Sequence, residues 1–353
     1  MNKSRLLWLG IGVALFALIA IGILVPLLRQ DLEATTPQAR SDAETIRKAL
    51  ARDEKVITLP ADVDVKFSRV DDGWTAKAMV TDDDLVYLAQ HHVVDRVFFK
   101  HGDVGKRGLL ALSREPITSL RMFRPEIEPG ALAEVAGLTG LQILSISGSP
   151  TIGDEQMLYL TGPPSLTYLD VRETGVSDKF LAHIVGIYPQ LSQINLRKCK
   201  NITADGIKHL ARLEKLRHLN LNNTRMDRAA VKSLAGFKHL VELELVDTGI
   251  GDEEVGLLKN LRLTILELAE DPLTDKSLDV IASMKSLRRV NLRRCKELSE
   301  AALARLRHRR SDLSVKTEAD PGDRKGEIHD KQVIDLFFDV EKERERKGKT
   351  GSK

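Results

Sequence analysis

Hydrophobic residues recur along the chain in one repeated phrase. The phrase has apolar residues at positions 1, 4 and 6, then a polar stretch, then apolar residues spaced three apart, as in LTYLDVRETGVSDKFLAHI from Leu166. Successive copies start 23 to 26 residues apart. The starts are Val94, Ile117, Leu141, Leu166, Leu191, Leu216, Leu240, Leu263, Leu287 and Leu313. Self-similarity at this period predicts an array of stacked repeats.

Each copy of the phrase predicts a strand, a turn and a helix. Residues at positions 1, 4 and 6 of the strand point inward, and residues at positions 3 and 5 point outward. A Thr, Ser or Asp after the turn, as in TDKSL, SDKFL and GDEEV, accepts a hydrogen bond from free backbone N–H groups and starts the helix. No single unit covers its own apolar face, so neighbours stack. We predict the α/β fold class: a curved solenoid with a parallel sheet on its concave face and helices on its convex face.

The spacing also carries a family resemblance. LxxLxLxxC/T, followed by Ile or Leu, then T/S-D and xxLxxL, resembles the cysteine-containing, ribonuclease-inhibitor-like class of leucine-rich repeats, in the bacterial variant in which Thr replaces Cys. The resemblance covers about residues 94–316 and about nine repeats. It implies a binding or scaffold protein without catalysis. The sequence has no F-box segment, so the ubiquitin-adaptor activity of eukaryotic relatives is not implied.

The only two cysteines, Cys199 and Cys295, occupy the ninth position of their repeats. Four rungs at roughly 4.8 Å each separate them by about 19 Å, beyond the ~7 Å limit for a disulfide. We therefore predict a buried structural slot. The same slot holds Thr174, Thr224 and Thr248 in other repeats, with Ser149 and Asp271. A reactive thiol is the alternative, because Arg197, Lys198, Arg293 and Arg294 precede the cysteines and would lower an exposed thiol's pKa.

An uncharged stretch of 23 residues, Leu6 to Leu28, precedes the repeats. As a helix it would span roughly 34 Å, enough for the hydrocarbon layer. We predict one transmembrane helix at 6–28, with a cleaved signal peptide as the alternative. Lys3 and Arg5 favour a cytoplasmic N-terminus at 1–5 and an exported repeat domain, periplasmic or extracellular.

The remaining segments have simpler signals. Residues 29–60 form a predicted juxtamembrane linker with a short helix, and residues 61–93 a predicted N-terminal cap with a hairpin and a helix. Residues 94–316 are the repeats. The segment 317–353 is a charged tail, predicted to be largely disordered, with a short amphipathic stretch, QVIDLFFDV, that either caps the last repeat or docks a partner.

Composition and motifs argue against several functions. The 54 basic and 51 acidic residues nearly balance, so we predict no nucleic-acid partner. The sequence contains no CxxC pair, no HExxH and no GxSxG. GKT at 348–350 lacks the earlier P-loop glycine, since Glu343 stands there. We predict no enzymatic activity, no cofactor, no metal and no small-molecule substrate.

The concave face carries a predicted acidic band beside a basic rung. A protein or peptide partner docking across the repeats is one interpretation. The others are a solvated face whose charges neutralise each other, and a calcium site. The predicted partner-binding residues are Glu242, Glu244, Asp247, Glu267, Glu270, Arg197, Lys198, Arg289, Arg293 and Arg294.

The sequence thus predicts a membrane-anchored leucine-rich-repeat protein that mediates protein–protein interaction through its concave face. The alternative is a structural, envelope-organising element that associates with itself and has no diffusible ligand. A lipid or glycan ligand is disfavoured, because the predicted concave face has few aromatic residues: Phe98, Phe123 and Tyr168.

Overall fold

The computed structural model of the protein describes residues 67–70, 73–76 and 78–318. Its main sheet has twelve strands in the order β1-β2-β3-β5-β7-β8-β9-β10-β11-β12-β13-β14, and β4 and β6 form a second, two-stranded sheet. The strands are β1 Phe67–Val70, β2 Gly73–Ala76, β3 Arg96–Phe99, β4 Gly102–Val104, β5 Ser119–Phe123, β6 Pro125–Ile127, β7 Ile143–Ser147, β8 Tyr168–Asp170, β9 Gln193–Asn195, β10 His218–Asn220, β11 Glu242–Glu244, β12 Ile265–Glu267, β13 Arg289–Asn291 and β14 Ser314–Lys316.

Helices follow the strands in regular alternation. They are α1 Asp82–His91, α2 Lys106–Leu112, α3 Asp154–Met157, α4 Asp178–Ile187, α5 Ala204–Leu210, α6 Arg228–Leu234, α7 Asp252–Leu257, α8 Asp275–Ser283 and α9 Glu300–Arg309. A 3₁₀ helix at Ala131–Gly137 takes the place of an α-helix in the repeat that starts at Ile117. Left-handed Gly130 precedes it, at φ 78°. The early repeats are thus the least regular, which agrees with their weaker sequence signal.

Neighbouring repeats pair in strict register. Apart from the antiparallel pair β1 and β2, the main-sheet strands are parallel. The fourth residue of one repeat pairs with the fourth of the next, as in Leu169 with Ile194 and Leu219 with Leu243. A strand rung needs ~4.8 Å and a helix ~10 Å, so the sheet takes the inner, concave side of the stack.

The repeated apolar positions form the core. Every residue at positions 1, 4 and 6 in the repeats from Val94 to Leu287 is buried, as are Leu313 and Val315 in the last. These residues belong to one continuous hydrophobic cluster. The predicted α/β repeat solenoid with a parallel sheet is confirmed, because the periodicity identifies the buried face of every strand.

The helices begin at the predicted capping residues. The side chains of Ser177, Thr203, Asp227, Thr274 and Ser299 each accept a hydrogen bond from a backbone N–H in the first turn. GDEEV differs from the prediction, because N-cap Gly251 has no side chain. There the carboxylate of Glu254 accepts the N–H of Gly251 at 3.1 Å.

Aspartates at the first helical position also join repeats. Asp178 accepts hydrogen bonds from the backbone N–H of Thr203 at 2.8 Å and from its hydroxyl at 2.5 Å. Asp275 does the same with Ser299, at 2.8 Å and 2.6 Å. We call these contacts, with the equivalent pairs Asp154–Ser177 and Asp252–Thr274, the carboxylate ladder. At these four junctions the ladder fixes one helix start against the next.

Several predicted segments lie outside the described residues. These are the N-terminus at 1–5, the transmembrane helix at 6–28, the linker at 29–60 and the tail beyond Glu318. In the part of the chain that the structure describes, no helix combines the length and apolarity needed to cross a membrane. The segment predicted as a cap, 61–93, contains β1, β2 and α1.

Candidate functional site

The fifth residue of each repeat forms a row along the middle of the concave face, which we call the floor row. In Asp170, Asn195, Asn220 and Asn291, a side-chain oxygen accepts the backbone N–H two residues later, at 3.0–3.1 Å. Asx side chains favour this local bond. Each of these residues therefore closes its own turn, and one of its side-chain oxygens is already hydrogen-bonded to the backbone.

Glu244 is the centre of a buried network in this row. Its Oε2 accepts hydrogen bonds from the side-chain amides of Asn220 and Asn222, both at 2.7 Å. Asn222 in turn accepts the backbone N–H of Val246 at 2.8 Å. Glu267 is the rung neighbour of Glu244. The network joins two repeats through side chains that face the concave surface.

This burial corrects one expectation. Residues at position 5 were predicted to point outward into the solvent of the concave face, yet Glu244 is only 9% exposed and Glu267 6%. Their side chains do face away from the core, but neighbouring residues cover them and Asn220 and Asn222 hold Glu244. The two glutamates therefore present little accessible charge to a partner.

The eighth residue of each repeat forms a second row, which we call the rim row. Eight successive members have left-handed backbone, with φ between 51° and 77°. They are Arg124, Gly148, Glu173, Lys198, Asn223, Asp247, Glu270 and Arg294. From Arg124 to Glu270, each donates its backbone N–H to a carbonyl of the next repeat, as Lys198 does to Asn222 at 2.9 Å. Except at Gly148, the rim row thus holds one side chain per rung on a fixed backbone, about 5 Å apart.

Rim side chains pair along the row. Lys198 Nζ lies 2.9 Å from Glu173 Oε1, and Arg294 Nη1 lies 2.7 Å from Glu270 Oε1. The amide of Asn223 donates to Asp247 at 2.7 Å. The predicted acidic neighbours Asp247 and Glu270 are exposed, and each has a partner on its far side. The predicted basic residues therefore flank the acidic ones within one row.

The other predicted binding residues surround these two rows. The Glu242 carboxylate and His218 Nδ1 form a hydrogen bond at 2.8 Å. Arg197 Nε donates to Asn223 at 3.4 Å. Arg289 is exposed on β13, and Arg293 is half-buried beside it. Of the ten predicted residues, Glu244 and Glu267 thus lie in the covered floor row, and four lie in the rim row: Lys198, Asp247, Glu270 and Arg294.

The ninth position is a buried slot in every repeat from Ser149 to Cys295. Cys199 Sγ donates to the carbonyl of Val171 and Cys295 Sγ to that of Leu268, both at 3.2 Å. Thr224 uses the equivalent carbonyl of Leu196, also at 3.2 Å. Cysteine and threonine therefore do the same work here, donating to the preceding repeat, whereas Thr174 and Thr248 donate within their own repeats.

Both cysteines are free thiols. Burial, the largest cause, raises the pKa of the Cys199 thiol and of the Cys295 thiol to about 11, although backbone hydrogen bonds lower it. Both thiols are accordingly neutral at physiological pH. A neutral, buried thiol is a poor nucleophile.

Asp271 is the charged member of the slot. Its Oδ1 accepts the backbone N–H groups of Thr248 at 2.9 Å and Gly249 at 2.8 Å. Burial nevertheless raises the pKa of the Asp271 carboxyl to about 7, outweighing the hydrogen bonds that lower it. Among the residues described, no group of three His, Cys, Asp or Glu side chains could hold a metal ion.

The first two repeats hold residues that the sequence reasoning did not single out. A groove of about 410 Å³ lies beside the start of the position-8 column, lined by Met79, Lys100, His101, Arg124 and Glu126, among others. His101 and Arg124 are the first two residues of the position-8 column. That column contains no acidic residue before Glu173, which was the available sequence signal.

Comparison with known proteins gives a limited result. No protein-family model matches the sequence, and no curated protein matches it. Among solved structures, the chain is similar to an internalin (inlF) from Listeria monocytogenes str. 4b F2365, with 17% identity and a TM-score of 0.39. The match covers 68% of this chain and 77% of the internalin. At this identity and TM-score the likeness carries no conclusion about function.

Proposed function

We propose that the protein is a membrane-anchored repeat scaffold that binds another protein through its concave face. The observation that carries this proposal is the rim row, in which eight successive turns share one left-handed backbone conformation and hold seven side chains at fixed positions. A row of rigidly spaced side chains of both charges suits recognition of a polypeptide, because it gives orientation and charge complementarity without a deep pocket.

The contrast between rim and floor sharpens the proposal. Floor residues such as Glu244 are covered and spend their polar atoms on neighbouring repeats, whereas Asp247, Glu270 and Arg294 are exposed. We therefore assign the partner contacts mainly to the rim, with Arg289 and Glu242 beside it. An enzymatic function is not proposed, since both thiols are buried. The polar side chains of the two rows form hydrogen bonds and ion pairs between repeats.

Photo-crosslinking tests this assignment. A benzophenone amino acid is placed at Asp247 or at Arg294 of the full chain in its native membrane. The matched control carries it at Lys232, an exposed residue on helix α6. We expect a discrete adduct with another protein from the rim positions only. The same adduct from Lys232 would contradict the proposal, and adducts with only a second copy of this chain would favour the self-associating alternative.

The membrane part of the proposal rests on the 23 uncharged residues of Leu6 to Leu28 and on Lys3 and Arg5 before them. Alkaline phosphatase fused to the C-terminus should be active, because it folds only after export. Green fluorescent protein at the same position should stay dark if it is exported unfolded. The reverse pattern would place the repeats in the cytoplasm, and release of the chain by carbonate washing would refute the anchor.

A further inference from the structure

Two unpaired cations, Lys100 and Arg124, line the N-terminal groove, together with Met79, His101 and Glu126. Lys100, His101 and Arg124 are all exposed. Among the residues that the structure describes, none forms an ion pair with any of these three. The guanidinium of Arg124 instead lies over the ring of Phe123, at 5.2 Å from its centroid. That ring contact orients the cation and leaves its N–H donors free.

Cations later in the same row are already paired. Lys198 has Glu173, and Arg294 has Glu270. Arg124 stands at the same repeat position, but its neighbours in the row are His101 and Gly148. The row therefore starts with a cation, Arg124, that forms no ion pair with a carboxylate of the described residues. An external anion would supply the partner that Glu173 and Glu270 supply to later cations.

The groove combines this charge with apolar surface. Met79 is 53% exposed in its wall. Phe98, two residues before Lys100, is 38% exposed on the concave face of β3. The lining also includes Gly102, where a Cβ atom would lie 2.7 Å from the Phe99 ring, so a side chain is excluded there. A ligand with both carboxylate and apolar groups fits this lining.

Glu126 in the same wall decides between anionic partners. An anionic bilayer or a nucleic acid would bring several negative charges beside this carboxylate, which is unfavourable. A peptide can place a backbone N–H or an apolar side chain there and direct its carboxylates to Lys100 and Arg124. An extended segment is also narrow enough to enter a recessed face.

We propose that the N-terminal groove binds an extended acidic segment of the partner protein, in which carboxylates pair with Lys100 and Arg124 and an apolar side chain packs against Met79. This assignment rests on the proposed function, since it names the chemistry of the partner. It adds a contact site in the first two repeats, several rungs before the predicted acidic band.

The test uses the full chain in detergent micelles and a fluorescein-labelled peptide in which glutamate alternates with leucine. Fluorescence anisotropy should show binding that weakens at least about tenfold in the double variant Lys100→Gln/Arg124→Asn. Asparagine is chosen at 124 because it tolerates the left-handed backbone found there, at φ 51°. The matched control, Lys232→Gln/Lys276→Gln, removes two exposed charges on the helix side and should bind normally.

A second variant tests the apolar contact. Met79→Ser should weaken the leucine peptide by about threefold and leave a glutamate–serine peptide unchanged. If the control Lys232→Gln/Lys276→Gln weakened peptide binding equally, the loss would reflect the overall charge of the protein, and the proposal would be overturned. Failure of the peptide to bind would also overturn the proposal. Displacement of the bound peptide by phosphatidylglycerol vesicles would overturn it too, because the groove would then bind a membrane surface.

The readouts separate this inference from the proposed function. Crosslinks from Asp247 and Arg294 report on the later part of the rim row, five and seven rungs beyond Arg124. If those crosslinks persist while the groove variants bind the acidic peptide like the natural chain, the groove assignment is wrong and the scaffold function stands. Unfolding curves of the variants that match the natural chain exclude a folding defect as the cause of lost binding.

Discussion

Two junctions between neighbouring repeats are joined by polar side-chain contacts, one on the helix side of the solenoid and one on its concave face. Between the repeats at Leu166 and Leu191, Asp178 holds Thr203 at the helix starts, as part of the carboxylate ladder. Between the repeats at Leu216 and Leu240, the corresponding positions are Arg228 and Gly251, which cannot form that contact. There Glu244 joins the repeats from the concave face, through Asn220 and Asn222.

The difference teaches where a repeat protein can place its specificity. Apolar burial stacks the repeats, but it is non-directional, so directional polar bonds must fix the register between neighbours. When those bonds lie on the helix side, the concave face stays available for other contacts. When they lie on the concave face, as at Glu244, the side chains that a partner would meet are already engaged.

The largest expected effect separates a slot carboxylate from the ladder carboxylates by pH. Burial raises the pKa of Asp271, in the buried ninth-position slot, to about 7. Between about pH 4, where the unfolded group titrates, and pH 7, the folded state keeps a proton that the unfolded state has lost. Stability should therefore fall as pH rises through this window, by up to about 4 kcal/mol.

The substitution Asp271→Asn should remove that loss, because the amide oxygen can still accept the N–H groups of Thr248 and Gly249. Urea unfolding of the full chain in detergent at pH 4.5 and pH 7 measures this change in the free energy of unfolding. Asp279→Asn, an exposed aspartate on α8, is the matched control. An unchanged pH dependence in Asp271→Asn would show that the carboxyl is ionised throughout the window.

Ladder carboxylates should show the opposite sign. Burial raises the pKa of the Asp252 carboxyl, but hydrogen bonds from Ser277 and Thr274 outweigh it and the pKa lies below its usual value. The hydrogen bond from the Ser299 hydroxyl likewise lowers the pKa of the Asp275 carboxyl. Their contribution to stability is present above about pH 4 and is lost as pH falls further.

The second effect breaks the concave-side junction. Glu244→Leu leaves the buried amides of Asn220 and Asn222 without their acceptor, so we expect a loss of about 3 kcal/mol in the free energy of unfolding. Glu242→Leu is the control. Its carboxylate pairs with His218, whose side chain is 38% exposed, and its loss should cost less than about 1 kcal/mol. Equal losses in urea unfolding would mean that the network adds nothing beyond one ion pair.

A smaller effect breaks the helix-side junction. Asp252→Ala removes the acceptor for the backbone N–H and hydroxyl of Thr274, with an expected cost of about 1–2 kcal/mol. Arg228→Ala, at the first helical position of α6, is the control. Its ion pair with Glu253 is exposed on both sides, so its loss should be close to neutral. Thermal unfolding by circular dichroism compares the two variants.

The smallest effect converts one junction into the other kind. Ala204 and Asp227 occupy the ladder positions between α5 and α6, and the double variant Ala204→Asp/Asp227→Thr would install the pairing found at Asp178 and Thr203. We expect a gain of about 0.5–1 kcal/mol. Ala204→Asp alone should be destabilising, since it faces Asp227. Additive single effects in the double-mutant cycle would show that the ladder contact does not form.

Periodicity was sufficient to predict the architecture. The apolar residues at positions 1, 4 and 6 are buried in successive repeats, and Ser177, Thr203 and Thr274 cap helices as predicted. These features depend on local spacing and side-chain type, which a single sequence displays. Of the predicted concave residues, Glu242, Glu244, Glu267 and Arg289 lie on strands, at positions 3 and 5, where alternation along the strand determines the face.

What the sequence did not predict depends on neighbouring rungs. Alternation tells which way Glu244 points, but not that Asn220 and Asn222 cover it. The left-handed rim backbone was visible only as Gly148, Asn223 and Asp247 at the eighth position, among Arg, Lys and Glu residues that rarely adopt it. The unpaired state of Lys100 and Arg124 depends on which side chains the adjacent turns supply.

The left-handed rim restricts the amino-acid alphabet at one position of every repeat. β-Branched residues are strongly disfavoured at such φ values, whereas Gly, Asn and Asp are the residues that most readily adopt them. Lys, Arg and Glu are tolerated there because the surrounding ladder of backbone bonds fixes the turn. Charge at the rim can therefore be rewritten from repeat to repeat without changing the path of the chain. A lineage that exchanges Glu270 or Arg294 for another straight-chain residue would alter its recognition pattern while keeping the same scaffold.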